Sequence, residues 1–174
     1  MTQETTKVAH YLLTDDGTIP NNDRLPLLVY PSAIDVSVAN SDLALQFEQL
    51  FEKNTWGNSW RNGVFPYHHY HSQAHEVLGC YSGSATVQFG GDSGITQEIQ
   101  AGDAVVIPAG VAHKRVNSSP DFRVVGAYPP KQPLDTNFAQ PEEREQAKKN
   151  IEAVALPPKD PIYGESGPLK DLWG

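Results

Sequence analysis

The sequence has 174 residues, of which 39% are hydrophobic, and a formal net charge of −8. This length suits one well-filled core, because single domains commonly hold about 100–150 residues, so we expect a single domain. The negative charge disfavours nucleic acids and anionic membrane surfaces as partners, since both are themselves negatively charged.

The start of the chain carries no pattern of a targeting segment. Residues 1–7 lack a basic start followed by an apolar run and a small-residue cleavage site. No apolar run approaches the ~18 residues that a membrane-spanning helix needs. We therefore expect a cytoplasmic protein. Cys80 is the only cysteine, so no disulfide can form within the chain, and we expect its thiol to be buried as a small hydrophobic group.

Residues 1–62 are predicted to form an extension that packs on the core of the domain. An apolar run at residues 27–30 is typical of a strand. A helix is expected to begin at Ser41, which suits the N-cap position, and to end at Lys53. The apolar residues that recur on one face of this helix at spacings of three and four are Leu43, Phe47, Leu50 and Phe51. That face should pack against the core.

Residues 63–130 hold short β-rich runs separated by turns that contain glycine, and they are predicted to form the core of the domain. The runs are 76–81, 85–89, 97–99, 104–107 and 122–128. Such a density of short strands is typical of an all-β sandwich or a closed barrel. Periodicity alone does not decide between these two architectures.

Residues 131–174 are predicted to form a helix followed by an arm. A charged helix is expected over residues 141–154, with Pro141 in its first turn. Proline and glycine are frequent after this helix, so the rest of the chain is expected to be an extended arm that lies over the domain.

The segment 68–76 contains four of the six histidines and a carboxylate. Residues two apart in an extended strand point to the same face, with Cα atoms roughly 6.6 Å apart. The imidazoles of His69 and His71 can therefore converge on one ion at ~2.0–2.1 Å, while His68 faces the other way.

Two further ligands require the chain to bend or to fold back. Glu76 follows His71 by five residues, an odd offset, so residues 72–74 must break the strand if the carboxylate is to face the same ion. His113 lies 37 residues after Glu76 and can reach the ion only through tertiary folding. A closed barrel would bring it there.

These residues resemble the two sequence motifs of the cupin superfamily. The first motif is glycine, five residues, His-x-His, three or four residues, glutamate, six residues, glycine. It is matched by Gly63, His69, His71, Glu76 and Gly83. The second is glycine, five residues, proline, one residue, glycine, two residues, histidine, three residues, asparagine. It is matched by Gly102, Pro108, Gly110, His113 and Asn117.

The resemblance implies an all-β jelly-roll barrel, commonly dimeric, with one divalent metal ion per chain held by His69, His71, Glu76 and His113. Three neutral imidazoles and one carboxylate leave such a site with a net charge of about +1, which favours an anionic oxygen ligand. Iron or manganese suits these nitrogen and oxygen donors, and nickel, zinc or cobalt is compatible with them. One or two coordination positions remain open for a substrate or O₂.

Four further side chains are candidate catalytic residues. Gln88 can orient a substrate if its face of the strand lines the cavity, and it faces solvent otherwise. Arg115 shares strand parity with His113, so it can meet an anionic substrate or form a structural salt bridge. Tyr67 and Tyr128 are candidate hydrogen-bond donors near the ion.

The site and the resemblance together predict a metal-dependent enzyme, a dioxygenase that acts on a small oxygen-rich or aromatic molecule. Two alternatives stay open. The first is a metal-dependent isomerase that stabilises an enediolate, and the second is a non-catalytic cupin that binds a small molecule or a metal. We expect a homodimer with a small-molecule ligand and no nucleic-acid or membrane partner.

Overall fold

The computed structural model describes residues 8–37 and 42–174, and these residues form nine strands and three α-helices. The strands are β1 (Ala9–Leu13), β2 (Asn22–Tyr30), β3 (Gly57–Asn62), β4 (Glu76–Ser82), β5 (Ser84–Phe89), β6 (Ile95–Gln100), β7 (Ala104–Ile107), β8 (His113–Ser118) and β9 (Arg123–Tyr128). The helices are α1 (Leu43–Lys53), α2 (Arg144–Ala153) and α3 (Pro168–Trp173).

The strands form two antiparallel sheets. The larger sheet has the order β1-β2-β7-β4-β9-β3, and the smaller sheet has the order β6-β5-β8. Alternate residues of both sheets point into one shared core, as strand geometry requires. The larger sheet contributes Leu27, Val29, Leu78, Val105 and Val124, and the smaller sheet contributes Ala85, Val87, Phe89 and Ile99. The expected all-β jelly roll of the cupin type is therefore confirmed, as two facing sheets.

The outer face of the larger sheet is buried as well. Helix α1 covers it with Phe47 and Phe51, both fully buried, and the C-terminal segment adds Leu169 and Trp173. The Phe47 ring lies so close to β4 that a Cβ on Gly79 would come within 2.5 Å of it. Glycine at this position therefore allows the helix to pack tightly against the strand.

Helix α1 confirms the helix that was predicted from the spacing of apolar residues, including its end at Lys53. The Asp42 side chain caps the helix by accepting a hydrogen bond from the backbone N–H of Leu45 at 2.9 Å. Ser41, the predicted N-cap, lies outside the described residues.

The chain outside the two motifs forms more regular structure than the sequence pattern indicated. β1 and β3 lie at the two edges of the larger sheet, although both belong to the predicted extension. The expectation of an arm without regular structure is wrong over Pro168–Trp173, which forms α3. This short helix forms because Leu169 and Trp173, one turn apart, bury their side chains on the sheet.

The charged helix predicted over residues 141–154 is confirmed as a 3₁₀ turn, Pro141–Glu143, followed by α2. None of the helices in the described part of the chain combines the length and the apolar character that crossing a bilayer requires.

Candidate metal centre

His69 and His113 are brought together by a pair of main-chain hydrogen bonds. The N–H of His69 donates to the carbonyl oxygen of His113 at 3.3 Å, and the N–H of His113 donates to that of His69 at 3.0 Å. Residues paired in this way face each other across an antiparallel ladder. Their imidazole centroids are 4.0 Å apart.

His71 is held beside this pair by the second motif. The N–H of Gly110 donates to the carbonyl oxygen of His71 at 2.7 Å. Gly110 has a φ of +94°, and a Cβ at this position would lie 2.4 Å from the carbonyl oxygen of Asn21. Only glycine fits such a turn, so the turn after Pro108 fixes both His71 and the approach to His113.

The predicted break between His71 and Glu76 is confirmed. Residues 72 and 73 form a bend, and Glu76 begins β4, where it pairs with Ile107 of β7. The extended strand expected around His69 and His71 is reduced to isolated bridges at His69 and Tyr70. The bend therefore turns Glu76 to the same side as the histidines.

All three histidines donate a hydrogen bond from Nδ1 to a backbone carbonyl oxygen. The acceptors are the oxygens of Tyr67 for His69 (3.1 Å), of Asp135 for His71 (2.6 Å) and of Val111 for His113 (3.3 Å). A carbonyl oxygen can only accept, so Nδ1 carries a proton, and in the neutral imidazole Nε2 is the nitrogen with the lone pair. Carbonyl oxygens of this kind commonly orient metal-binding histidines.

The three imidazoles form a buried group whose ligand nitrogens lie within 4.8 Å of one another, so the group can hold a metal ion. The carboxylate of Glu76 lies beside it, with Oε1 3.6 Å from Nε2 of His71 and 3.3 Å from Nε2 of His113. The structure thus brings together all four residues that the two motifs single out.

Burial and mutual attraction set the protonation of these groups. Burial, and after it the neighbouring His113, lower the pKa of His69 to about 3. Burial alone would raise the pKa of Glu76 and lower that of His71, but the attraction between the two outweighs burial in both. The pKa of Glu76 is therefore lowered and that of His71 is raised. Glu76 is a carboxylate near neutral pH.

The four residues line one end of a cavity of about 280 Å³. Its other walls are mostly apolar. The remaining lining residues are Trp60, Asn62, Gly63, Val64, Phe65, Leu78, Tyr128, Leu134 and Thr136. Concave, largely apolar sites with a few convergent polar groups commonly bind small molecules.

The other candidate residues are distributed differently. Tyr128 lines the cavity, whereas Tyr67 lies outside it with its ring stacked on Phe65 at 5.0 Å. Gln88 points out of β5, and its amide lies 3.5 Å from the backbone oxygen of Asp92. Arg115 lines a separate surface groove with Arg123. The structure therefore groups only Tyr128 with the histidines and Glu76.

His68 and His75 lie away from the cavity. His68 turns to the surface and contacts Asp92 at 2.8 Å. His75 is buried, its Nδ1 accepts the backbone N–H of Ala109, and its ring packs on Trp173 at 4.8 Å. Burial lowers the pKa of His75 to about 4, so this imidazole is neutral and structural.

Sequence reasoning missed Asp135. Its carboxylate accepts hydrogen bonds from the Ser72 backbone and hydroxyl and from the Gln73 backbone, and its own carbonyl oxygen accepts from His71. Leu134 and Thr136, on either side of it, line the cavity. Asp135 lies outside both motifs, and an isolated aspartate before a threonine carries no signal of this role.

Comparison with known proteins agrees with the motifs. The cupin domain family matches residues 61–125. The uncharacterised protein YjlB of Bacillus subtilis (strain 168) is 48% identical over 163 residues, which is 94% of this chain and 94% of that protein.

Solved structures with partial similarity include a DUF861 family protein from Thermotoga maritima, at 22% identity over 45% of this chain and 86% of that one, with a TM-score of 0.34. The dTDP-6-deoxy-D-glucose-3,5-epimerase RmlC from Legionella pneumophila is 14% identical over 70% of this chain and 71% of that one, with a TM-score of 0.37. The 11S allergen from Cocos nucifera is 19% identical over 46% of this chain, which spans 24% of the allergen, with a TM-score of 0.38. The match of the cupin domain family across both motifs shows that this chain is a cupin, and the 48% identity over 94% of each chain places it in one family with the Bacillus protein.

Proposed function

We propose that this cupin is a metal-dependent dioxygenase that holds one divalent ion on His69, His71, Glu76 and His113. The observation that carries the proposal is the orientation of the imidazoles. Each Nδ1 donates to a backbone carbonyl, so the three neutral imidazoles would present their Nε2 lone pairs to an ion beside a buried carboxylate. The group lies at the inner end of a cavity that can admit a small molecule.

The donor set fits iron or manganese best, and nickel, zinc and cobalt are compatible with it. Thiolate is missing from these donors, which is unlike the usual closed structural zinc site. When bound, an iron or manganese ion in such a site supplies activation of O₂ beside a substrate.

The residues of the chain prepare this reaction in three ways. The buried carboxylate of Glu76 offsets part of the charge of the ion. The carbonyl oxygens of Tyr67, Asp135 and Val111 hold the imidazoles in one tautomer. The apolar walls of the cavity exclude water from the space next to the histidines, which strengthens electrostatic interactions there.

The first test is the metal content of protein purified without a histidine tag and reconstituted with Fe²⁺. We expect about one ion per chain, loss of most of it in His69→Ala, and full retention in His68→Ala, because His68 faces the surface a single residue away. Metal is measured by elemental analysis, with folding checked by circular dichroism. An unchanged metal content in His69→Ala contradicts the ligand assignment.

The second test distinguishes a dioxygenase from an isomerase and from a non-catalytic binding protein. Metal-loaded protein is incubated with a panel of small phenols, enols and hydroxyketones under air and under nitrogen, while O₂ consumption and substrate loss are followed. A dioxygenase consumes one O₂ per substrate and is silent under nitrogen. Substrate conversion under nitrogen identifies an isomerase instead, and binding without conversion in either gas identifies a binding protein.

A further inference from the structure

The cavity is polar at one end and apolar along its walls. Its polar end holds the three imidazoles, Glu76 and the hydroxyl of Tyr128. Trp60, Val64, Phe65, Leu78 and Leu134 form the apolar walls. Within the described part of the chain, no lysine or arginine lines this cavity, so an ion would be its main source of positive charge. Such a lining does not suit a substrate with several charged groups.

The hydroxyl of Tyr128 has a defined hydrogen-bond direction. The indole N–H of Trp60 donates to this hydroxyl at 2.7 Å. Because an indole N–H can only donate, the Tyr128 oxygen is the acceptor and its own proton is left to donate elsewhere. Tyr128 is almost fully buried and lines the cavity next to the histidines. Its proton is directed at the Glu76 carboxylate, so an oxygen atom bound beside Glu76 would take the place of that carboxylate as the acceptor.

Trp60 is fixed in place by a glycine. It pairs with Gly126 of the neighbouring strand, and a Cβ on Gly126 would lie 2.3 Å from the indole ring. The indole therefore lies directly on the backbone of β9, which keeps both its N–H and its flat face in a fixed position. The position of the Tyr128 hydroxyl depends on this packing.

Two of the apolar side chains that line the cavity, Phe65 and Leu134, are also exposed to solvent. The Phe65 ring lies 4.9 Å from the His69 imidazole, edge to face, and 47% of the residue is exposed. Leu134, with 52% exposed, lines the same cavity. Apolar side chains left exposed around a pocket are typical of contact with an apolar part of a ligand.

We propose that the site selects a small, flat, apolar molecule with one or two adjacent oxygen donors at one end, as in a phenol, catechol or enol. The oxygen nearest the histidines accepts a hydrogen bond from Tyr128, and the flat body lies against Phe65, Trp60 and Leu134. Trp60 acts as a positioning residue for Tyr128. This inference rests on the proposed metal site and narrows its substrate to the aromatic or enolic class.

The test uses two probes that share one chelating group. Benzohydroxamate and acetohydroxamate both present two oxygens to a metal, and they differ in a phenyl ring against a methyl group. Each is titrated into Co²⁺-loaded protein and followed by visible absorption, with free Co²⁺ as the reference for intrinsic affinity. We expect benzohydroxamate to bind at least about tenfold more tightly, from the apolar area of the ring.

Substitutions at the two ends of the cavity test the ring contact and the oxygen contact separately. Phe65→Ala should remove most of the preference for the phenyl ring and leave acetohydroxamate unchanged. Tyr128→Phe should weaken both probes equally, by about three- to tenfold, because the lost hydrogen bond acts at the shared oxygen end. Phe138→Ala and Tyr163→Phe are matched controls, since both residues are exposed and neither lines the cavity.

The outcomes distinguish this inference from the proposed function. Failure to bind Co²⁺ contradicts the metal site and the inference together. If the protein binds Co²⁺ but binds both probes with equal affinity, the substrate class is overturned and the metal site stands. The same holds if Phe65→Ala and the milder Phe65→Leu keep the full preference for the phenyl ring. A Tyr128→Phe variant that binds both probes like the wild type overturns the role of the Tyr128 hydroxyl.

Discussion

Asp135 shows how a residue outside the cavity can determine the geometry inside it. Its carboxylate stabilises the bend at Ser72 and Gln73 by accepting their backbone N–H groups. Its carbonyl oxygen accepts from Nδ1 of His71 and so fixes the tautomer of that imidazole. Its pKa is lowered despite partial burial, because the Ser72 hydroxyl, the Asn137 amide and two backbone N–H groups donate to the ionised form. The charged carboxylate is thus the form that the surrounding donors require.

We expect Asp135→Asn to lower metal affinity about tenfold, since supporting interactions of this kind typically contribute 10–100-fold. An amide nitrogen in place of one oxygen cannot accept these hydrogen bonds, so we also expect a loss of about 1–2 kcal/mol in the free energy of unfolding. Competition with a chromophoric chelator measures the metal affinity, and urea denaturation measures the free energy of unfolding. Asp92→Asn, at an exposed aspartate, is the control; equal metal affinity in both variants contradicts this role.

At the scale of elements, the sequence predicted the helices and strands that have a regular spacing of apolar residues within one segment. The helix α1 and the strands β4, β5 and β7 follow from apolar spacing within each segment. β3 has a single large apolar side chain, Trp60, and sits at a sheet edge, so alternation gave no signal for it. The site residues divide in the same way. The motifs identified His69 and His113, whereas Trp60 reaches the cavity from β3 through contacts that only the folded chain creates.

One buried carboxylate, that of Asp160, connects the C-terminal segment to the larger sheet in addition to the packing of Leu169 and Trp173. Asp160 accepts the Tyr30 hydroxyl at 2.8 Å and the backbone N–H groups of Ile162, Tyr163 and Leu169 at 2.8, 3.0 and 3.0 Å. We expect Asp160→Asn to lower the free energy of unfolding by about 2–3 kcal/mol, because an amide nitrogen would face buried donors. Urea denaturation measures this, with the exposed Asp171→Asn as the control. Equal stability in the two variants contradicts this function of Asp160.

At the scale of the whole molecule, the inner strands of the larger sheet are buried on both faces, and its edges are left as the surfaces available for pairing. β1 is the edge strand next to β2, and Leu12 on it is 53% exposed. Edge strands of this kind can extend a sheet across two copies of a chain.

We therefore propose that the protein is a homodimer, as the cupin resemblance implies. Size-exclusion chromatography with light scattering should give twice the chain mass of 19.1 kDa. We expect Leu12→Lys to shift the protein towards the monomer, because a charge on the exposed edge opposes pairing. A monomeric mass for the wild type contradicts the dimer, and a dimeric Leu12→Lys variant places the interface elsewhere.

The main-chain bonds that join His69 to His113, and His71 to Gly110, have a consequence for how the protein acquires its ion. These bonds join main-chain atoms only, so the proposed site could assemble its imidazoles before an ion arrives. Loading and exchange of the ion then require no rearrangement of the backbone. Since several first-row ions accept the same donors, we expect the abundance of each ion around the newly folded chain to decide which one would occupy the proposed site.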